Sequence, residues 1–202
     1  MVAVNAVFIK SAAGAGDFPP DVGAEVAVVG RSNSGKSSAI NAILGAAKLA
    51  RVSKTPGRTQ LINFFDLGAQ RRCVDLPGYG FARVRADVRE TWERMMSGYF
   101  RTRRSLCGLM LTVDARRGIG ELDEAMLLWC AELGVPVYVL ATKVDKLSRN
   151  KAAQAALAMQ ADAGDRAVAV CRFSAHDGRG VAAAREQLLS WVDTGVSAVP
   201  AQ

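Results

Sequence analysis

The stretch VAVVGRSNSGKSS, residues 26–38, joins an apolar run to a turn rich in glycine and serine. From residue 30 to residue 37 it matches the pattern G-x-x-x-x-G-K-[ST] at every fixed position. A glycine-rich loop between a strand and a helix directs backbone N–H groups at phosphate oxygens, beside the positive end of the helix. The pattern in this context predicts a phosphate-binding loop; the alternative is a turn that only links strand and helix.

Apolar runs alternate with stretches of helical periodicity along the rest of the chain. Strands are predicted at 26–29, 61–67, 71–74, 106–113, 135–141 and 167–173, an edge strand at 4–10, a loop at 11–21, and helices at 36–44, 88–101, 122–133, 150–162 and 181–192. Several runs are uniformly apolar, as buried strands of a parallel sheet are. We expect an α/β fold, with a doubly wound, mostly parallel six- to seven-stranded sheet and helices on both faces. Residues 1–193 are predicted to form a single domain, and residues 194–202 a flexible C-terminal tail.

Composition narrows the class of protein. The 202 residues are 50% hydrophobic, enough for one well-buried domain. No apolar run approaches the roughly 18 residues of a membrane span. The four cysteines are scattered without C-x-x-C spacing, which argues against a disulfide framework or a zinc site and favours a reducing cytoplasm. The formal net charge of +7 favours a polyanionic partner.

The loop and one downstream motif carry the predicted phosphate chemistry. Lys36 is placed to reach the β- and γ-phosphates, and the hydroxyl of Ser37 is a suitable Mg²⁺ ligand. The motif Asp75-Leu76-Pro77-Gly78 follows a predicted strand. There Asp75 is expected to hold Mg²⁺ through a water, and the Gly78 N–H to sense the γ-phosphate. D-x-x-G alone is common by chance, and Asp75 as an ordinary turn residue is the alternative.

Two later segments predict which base is bound. Thr142-Lys143-Val144-Asp145 follows the strand at 135–141 in the pattern [NT]-K-x-D. The Asp145 carboxylate can accept hydrogen bonds from N1–H and the 2-amino group of guanine, whereas adenine would leave it unpaired. Ser174-Ala175 follows the last strand and offers a backbone N–H to guanine O6, with His176 beside it as a turn residue.

Each of these segments also has an ordinary interpretation, for example Asp145 as a helix N-cap and Ser174 as the end of a strand. Their order favours a joint site, because ligands of open α/β sheets bind at the carboxyl ends of the strands, where all of these segments are predicted to lie. We therefore predict GTP or GDP as the ligand.

Five segments of the chain resemble the EngB family, bacterial GTPases of ribosome biogenesis within the Era and septin-related class of P-loop GTPases. They are GRSNSGKSS (30–38), SKTPGRTQLINFF (53–65), DLPGYGFA (75–82), TKVDK (142–146) and FSA (173–175). The resemblance extends over nearly all of residues 4–192. The second segment is the most telling, since K-T-P-G-x-T-Q is far narrower than a generic GTPase signature.

The resemblance implies a P-loop GTPase fold, a reaction and partners. Thr59 would join Ser37 as a direct Mg²⁺ ligand, and GTP would be hydrolysed to GDP and phosphate with Lys36, Thr59 and Gly78 as the catalytic groups. The implied partners are the large ribosomal subunit or its precursor and ribosomal RNA, with no membrane and no DNA. The protein would be monomeric and cytoplasmic, and normal cell division and septation would depend on it. The nucleotide contacts expected from the motifs and the resemblance together are Gly30, Arg31, Ser32, Asn33, Ser34, Gly35, Lys36, Ser37, Ser38, Gly57, Arg58, Thr59, Gln60, Leu61, Asp75, Leu76, Pro77, Gly78, Thr142, Lys143, Val144, Asp145, Ser174, Ala175 and His176.

Tyr79 follows Gly78 at the place where many GTPases carry a glutamine that orients the attacking water. A tyrosine cannot do this in the same way, so we expect slow hydrolysis by the isolated protein, accelerated by K⁺ or a ribosomal partner. Asn33 is a candidate K⁺ ligand by analogy with related GTPases. The alternative is that Asn33 only stabilises the turn of the loop.

Arginines crowd the segment after residue 80, at positions 83, 85, 89, 94, 101, 103 and 104. Trp92, Met95, Met96 and Tyr99 fall at helical spacing and are predicted to face the core, with the arginines solvated and available to RNA phosphates. An ordinary amphipathic helix with a solvated basic face is the alternative. The predicted RNA-binding residues are Arg83, Arg85, Arg101, Arg103 and Arg104.

Three other functions remain open from the sequence. A P-loop kinase of small molecules would share the phosphate loop but would have no use for residues 142–145 and 54–60. A binding protein for which GTP is structural would be consistent with Tyr79. A direct role in cell division and septation, without the ribosome, would fit the family resemblance as well.

Overall fold

The computed structural model describes residues 4–50, 61–80 and 86–198. The strands are β1 (Val7–Ala12), β2 (Ala24–Gly30), β3 (Ile62–Asp66), β4 (Arg71–Asp75), β5 (Leu106–Asp114), β6 (Val137–Thr142) and β7 (Ala169–Arg172). The helices are α1 (Lys36–Leu44), α2 (Ala86–Thr102), α3 (Glu121–Glu132), α4 (Arg149–Ala163) and α5 (Val181–Ala198). Each predicted strand and helix is therefore present, with boundaries that differ by a few residues.

The seven strands form one sheet in the order β1-β3-β4-β2-β5-β6-β7. Strands β4, β2, β5, β6 and β7 run parallel, while β1 and β3 add an antiparallel edge. In the centre, β2 pairs Val28 with Asp75 of β4 on one side and Gly30 with Thr112 of β5 on the other. The carboxyl ends of β4, β2 and β5 therefore meet at one edge of the sheet.

Helices cover both faces of the sheet, and the central strand β2 is therefore buried along its whole length. Ala27 and Val29 of β2 belong to a core that also contains Met96 of α2, Leu127 of α3 and Met159 of α4. The alternate residues of the strand face a second core formed with α1 and α5. The predicted doubly wound α/β fold is confirmed.

The loop predicted at 11–21 is shorter than expected. Ser11 and Ala12 extend β1 and pair with Asn63 and Ile62 of β3. Residues 15–17 form a short 3₁₀ helix. The alternation of apolar residues stops at residue 10, so the sequence pattern gave no sign that backbone pairing continues past it.

Helix α5 continues through Ala198, which corrects the prediction that a flexible tail starts at residue 194. Gly195 packs closely on the start of β2: a Cβ at this position would lie 2.7 Å from the Cβ of Ala24. Val196 packs against the same core. Contact with the sheet therefore holds the last turn of the helix.

All four cysteines, which lie within the described residues, are free thiols. Burial raises the pKa of the Cys130 thiol to about 12. In the part of the chain that the structure describes, no helix has both the length and the apolar character needed to cross a membrane.

Candidate nucleotide-binding site

The loop at residues 30–35 is shaped by contacts that require glycine. A Cβ on Gly30 would lie 2.1 Å from Oγ1 of Thr112, so β5 leaves no room for a side chain there. Gly35 has φ of 97°, in the left-handed region that glycine adopts without strain. The Ser34 hydroxyl lies 2.6 Å from Oγ1 of Thr112 and fixes the loop to β5. Helix α1 begins directly after Gly35, so the unpaired N–H groups of its first turn lie beside the loop.

Two residues predicted to bind phosphate and metal lie in direct contact. Lys36, the first residue of α1, donates a hydrogen bond to Oδ1 of Asp75 at the end of β4. Their side chains are 14% and 7% exposed, respectively. Asn63 of β3 donates to the other oxygen, Oδ2, at 3.4 Å. The Asp75 carboxylate therefore reaches the first turn of α1, where Ser37 follows Lys36.

The Asp75–Gly80 segment, residues 75–80, is hydrogen-bonded to the phosphate loop. The N–H of Tyr79 donates to the carbonyl of Gly30 at 3.3 Å, and the N–H of Ser32 donates to the carbonyl of Tyr79 at 2.8 Å. A Cβ on Gly78 would lie 3.1 Å from the Gly30 carbonyl oxygen. The predicted γ-phosphate sensor thus lies against the loop that is predicted to hold the phosphates.

The side chain of Tyr79 extends to the first turn of α3. Its hydroxyl donates to Oδ1 of Asp123 in α3 at 2.6 Å. Burial and the Asp123 charge raise the pKa of Tyr79 far above its ordinary value, so the hydroxyl is protonated at neutral pH. Its ring contacts the ring of Trp92 in α2, which donates from Nε1 to the carbonyl of Pro77 at 3.2 Å.

The segment predicted to bind the base is also attached to the phosphate loop. Lys143 donates from Nζ to the carbonyl of Asn33 and to Oδ2 of Asp114, the latter at 3.0 Å. The Thr142 hydroxyl lies against the carbonyls of Ser34 and Val113. The long side chain of Lys143 therefore extends from the base side of the cleft to the phosphate side.

Asp145 is held as a carboxylate by its neighbours. Ser174 donates from Oγ to Oδ1 of Asp145 at 2.8 Å, and Nζ of Lys146 lies 3.3 Å from Oδ2. Burial acts to raise the pKa of Asp145, but these two partners outweigh it, and the pKa is lowered. An ionised carboxylate is the acceptor that guanine N1–H and the 2-amino group require.

The turn at residues 174–177 is ordered by one hydroxyl. Oγ of Ser174 accepts the backbone N–H groups of His176 and Asp177, each at 3.2 Å. His176 is exposed, and the turn presents Ala175 to the cleft. The structure places His176 in a turn, as predicted.

A cleft of about 650 Å³ brings many of the predicted contacts together. Those that line it are Gly35, Ser38, Thr142, Lys143, Asp145, Ala175 and His176. Asn41 and Lys48 also line it but were not predicted. Asn41 hydrogen-bonds to both the N–H and the carbonyl of Ala50, at 2.7 and 2.9 Å. No sequence motif marks either residue, because their role depends on how the chain leaves α1.

Asp114 is a further residue that sequence reasoning missed. It ends β5, is 6% exposed, and accepts hydrogen bonds from Arg116 as well as Lys143. Burial acts to raise the pKa of Asp114, yet the bonds from Arg116 and Lys143 lower it well below 3.8. The rule that selected Asp75, an acidic residue at a strand's carboxyl end, would have identified it.

Some of the predicted contacts have buried side chains, and others fall outside the described part. The side chains of Leu76 and Val144 are fully buried in the protein, and Leu61, just before β3, is 39% exposed. Residues of the 51–60 and 81–85 segments lie outside the described residues: Gly57, Arg58, Thr59, Gln60, Arg83 and Arg85.

The prediction that Arg103 is solvated and binds RNA is wrong. Its side chain is 3% exposed and donates to the carboxylate of Glu25, at 3.1 Å from Nε, and to the carbonyl of Pro19 at 2.8 Å. Arg72 and Tyr99 donate to the same carboxylate at 2.8 and 3.1 Å. We call this group the Glu25 cluster. Arg101 and Arg104 are exposed, as predicted.

Most of the residues predicted to face the core do so. Met96 and Tyr99 are fully buried, Met95 is 5% exposed, and Trp92 packs partly buried against them. Helix α2 is therefore amphipathic, with its aromatic and methionine side chains inside.

Comparison with known proteins identifies the family. A family model described as 50S ribosome-binding GTPase matches residues 25–143. The probable GTP-binding protein EngB of Nitrosococcus oceani is 51% identical over 181 residues, which cover 88% of this chain and 90% of that protein. The protein of the same name from Azoarcus sp. is 47% identical over 192 residues, which cover 93% and 91%.

Solved structures agree in fold. The crystal structure of a probable GTP-binding protein EngB superposes with a TM-score of 0.65 at 20% identity, covering 85% of this chain and 99% of the other. Era in complex with MgGDPNP and nucleotides of 16S ribosomal RNA superposes with a TM-score of 0.64 at 22% identity, covering 83% and 56%.

The family model spans more than half of the chain, and the relatives match it over nearly its whole length. The chain therefore belongs to the EngB family of GTP-binding proteins and is a GTPase.

Proposed function

We propose that this chain is a Mg²⁺-dependent molecular switch that hydrolyses GTP slowly, and that its GTP form engages the large ribosomal subunit during assembly. The observation that carries the proposal is the continuous contact from the phosphate loop to α2. Tyr79 is hydrogen-bonded to the loop through its backbone, and Trp92 of α2 donates to Pro77 in the same segment. A shift of the Asp75–Gly80 segment would therefore also displace α2.

The donor set at the loop fits Mg²⁺. Ser37 supplies a hydroxyl and Asp75 a carboxylate, and oxygen ligands of this kind are what Mg²⁺ prefers. We propose Ser37 as a direct ligand and Asp75 as a ligand through water, with Thr59 completing the set. The ion would neutralise charge on the β- and γ-phosphates. Lys36 would exchange its partner Asp75 for those phosphates, and Asp145 would accept the guanine hydrogen bonds.

Slow hydrolysis is supported by the position of Tyr79. Its hydroxyl is bonded to Asp123, and the residue has no carboxamide with which to orient a water. We propose that K⁺ or a ribosomal partner supplies the missing stabilisation. Asn33 has an exposed side chain that is free to bind K⁺, and its φ of 65° also fits the alternative of a turn-stabilising asparagine. Hydrolysis rates in KCl and in NaCl separate the two interpretations.

The exposed arginines at the end of α2 supply the proposed ribosomal contact. Arg101 and Arg104 are solvated, and arginine forks suit RNA phosphates. Support for the partner comes from the family model, whose description is a 50S ribosome-binding GTPase. A role in cell division and septation would follow from failed subunit assembly.

Co-sedimentation with purified large ribosomal subunits tests the proposal. Binding is compared with a non-hydrolysable GTP analogue, with GDP and without nucleotide, for the parent protein and for Arg101→Ala/Arg104→Ala. Arg149→Ala, an exposed arginine on α4, is the matched control. We expect binding only with the GTP analogue, weakened in the double variant. Absence of binding with every nucleotide would contradict the proposed ribosomal partner and favour a direct role in division.

A further inference from the structure

The Tyr79 hydroxyl makes a contact that the proposed switch leaves unexplained. Its 2.6 Å hydrogen bond to Asp123 is buried, with Tyr79 5% and Asp123 1% exposed. A hydroxyl that donates to a carboxylate at this distance forms a charge-assisted bond, which is stronger than a neutral one. The bond joins the Asp75–Gly80 segment to the first turn of α3.

Asp123 is itself fixed in place. Its Oδ2 accepts the N–H of Gly120 at 3.0 Å and so caps α3. Arg31 reaches across from the phosphate loop. A Cβ on Gly120 would lie 3.1 Å from its Nη1, and a Cβ on Gly80 would lie 3.2 Å from its Nε. The phosphate loop, the end of the Asp75–Gly80 segment and the start of α3 therefore meet at this point.

The backbone of Tyr79 is held as firmly as its side chain. Its N–H and carbonyl are both bonded to the phosphate loop, at Gly30 and Ser32. The peptide that joins Gly78 to Tyr79 therefore cannot reorient without loss of at least one of these contacts. The N–H of Gly78, which must meet the γ-phosphate if the proposed switch is correct, belongs to the preceding peptide, whose Pro77 carbonyl accepts a hydrogen bond from Trp92.

We infer that Asp123 is a positioning residue, which holds Tyr79 and thereby the Gly78 peptide in the arrangement described here, so that the γ-phosphate must compete with the Tyr79–Asp123 hydrogen bond. The inference rests on the proposed function. A ligand shifts an equilibrium only by its different affinity for the two arrangements, so a bond present in one of them lowers the affinity for GTP relative to GDP. Loss of the bond is expected to raise the affinity for a GTP analogue about tenfold and to leave the affinity for GDP unchanged.

Tyr79→Phe is the sharpest variant, because it removes one oxygen and keeps the ring against Trp92. Dissociation constants for GDP and for a non-hydrolysable GTP analogue are measured by titration calorimetry with saturating Mg²⁺. Asp123→Asn replaces the charged acceptor by a neutral amide oxygen and so weakens the same bond from the other side. Tyr138→Phe is the matched control, since Tyr138 is partly buried and packs against the core on the opposite face of the sheet. An equal loss of affinity for both nucleotides, or an unchanged ratio, would overturn the inference.

The fluorescence of Trp92 distinguishes a positioning role of Asp123 from a purely structural one. In a Trp129→Phe/Trp191→Phe background, its emission reports the position of the segment to which it donates. With GDP bound, we expect the emission of Tyr79→Phe to shift toward that of the parent protein with the GTP analogue. If the parent gave the same emission with both nucleotides, the switch and the role of Asp123 would both fail. A responsive parent with no shift in Tyr79→Phe would overturn the role of Asp123 alone.

Discussion

The two ends of the central sheet both carry buried charge, but they differ in how completely that charge is paired. At the amino end, the Glu25 carboxylate is 0% exposed and accepts bonds from Arg72, Arg103 and Tyr99. At the carboxyl end, among the described residues, Asp75 accepts from Lys36 and, at 3.4 Å, from Asn63. Strand β4 contributes to both groups, through its second and its last residue.

The comparison separates charges that stabilise from charges that bind. A carboxylate surrounded by donors in the protein interior stabilises the fold only while every partner stays in place, and it has no site left for a ligand. In the proposed function, Lys36 and Asp75 separate when phosphate and Mg²⁺ replace each partner. The number of partners, more than the residue type, distinguishes Glu25 from Asp75.

The largest effect is expected from Glu25→Ala. The change leaves the guanidinium groups of Arg72 and Arg103 buried without their carboxylate, and removal of one partner from a buried ion pair costs about 3–5 kcal/mol. Urea denaturation should show this loss in the free energy of unfolding. Glu90→Ala is the control, because Glu90 pairs with Arg94 on the exposed face of α2, and should change stability by less than about 1 kcal/mol. A loss below that value for Glu25→Ala would contradict the comparison.

Lys36→Ala should affect nucleotide binding more than stability. We expect binding of GTP and GDP to weaken about 100-fold, equivalent to about 2.7 kcal/mol, because a charge-assisted contact to phosphate is lost. The free energy of unfolding should change less than in Glu25→Ala. Titration with fluorescent nucleotides measures the first quantity, and Lys151→Ala on the exposed face of α4 serves as control. Unchanged affinity would show that Lys36 does not contact the phosphates.

Asp114 should make the stability of the protein depend on pH. Its pKa is lowered from 3.8 in the folded protein, so its stabilising contribution is complete above pH 3.8 and is lost as the pH falls through the folded value. Unfolding free energies between about pH 5 and pH 2.5 should therefore fall more steeply in the parent than in Asp114→Asn. Asp162→Asn, at an exposed site on α4, should follow the parent. Parallel curves for Asp114→Asn and the parent would refute the prediction.

The smallest effect on stability is expected from Arg104→Ala. Arg104 is exposed, so its replacement should alter the free energy of unfolding by no more than about 0.5 kcal/mol. Its neighbour Arg103→Ala, in the Glu25 cluster, should cost several times more. If Arg104 contacts ribosomal RNA, the slope of log affinity against log salt should fall by about 1 in Arg104→Ala. Equal stability of the two variants would contradict the distinction between them.

The fold and the residues at the carboxyl ends of the strands could be predicted from the sequence, because both depend on local patterns. The apolar run at 26–29 and the loop after it define a strand, a turn and a helix within 20 residues, and residues 71–78 and 135–145 each define a strand and the turn that follows it. Parallel pairing then brings their ends together. The position of Asp75 against Lys36 follows from that geometry alone.

The amino end could not be predicted in this way. Arg103 lies just past the end of α2, where helical periodicity no longer defines a face, and its partner Glu25 is 78 residues away. Asn41 is similar, since its amide is matched to the backbone of Ala50 beyond the helix. The predicted end of α5 came too early, because a glycine such as Gly195 favours the end of a helix. In the fold, Gly195 lies within the helix, at a place where the helix packs closely on Ala24.

That packing has a consequence for anyone who engineers the protein. A glycine within a helix is usually replaced by alanine to gain stability, by about 1 kcal/mol. At Gly195 the added methyl group would meet Ala24 at 2.7 Å and Cys107 at 3.2 Å, so helix propensity alone would recommend a harmful change. A fusion that truncates the chain before Ala198 would remove part of the last turn of α5, which covers the start of β2. A carboxy-terminal tag should therefore be joined beyond that residue.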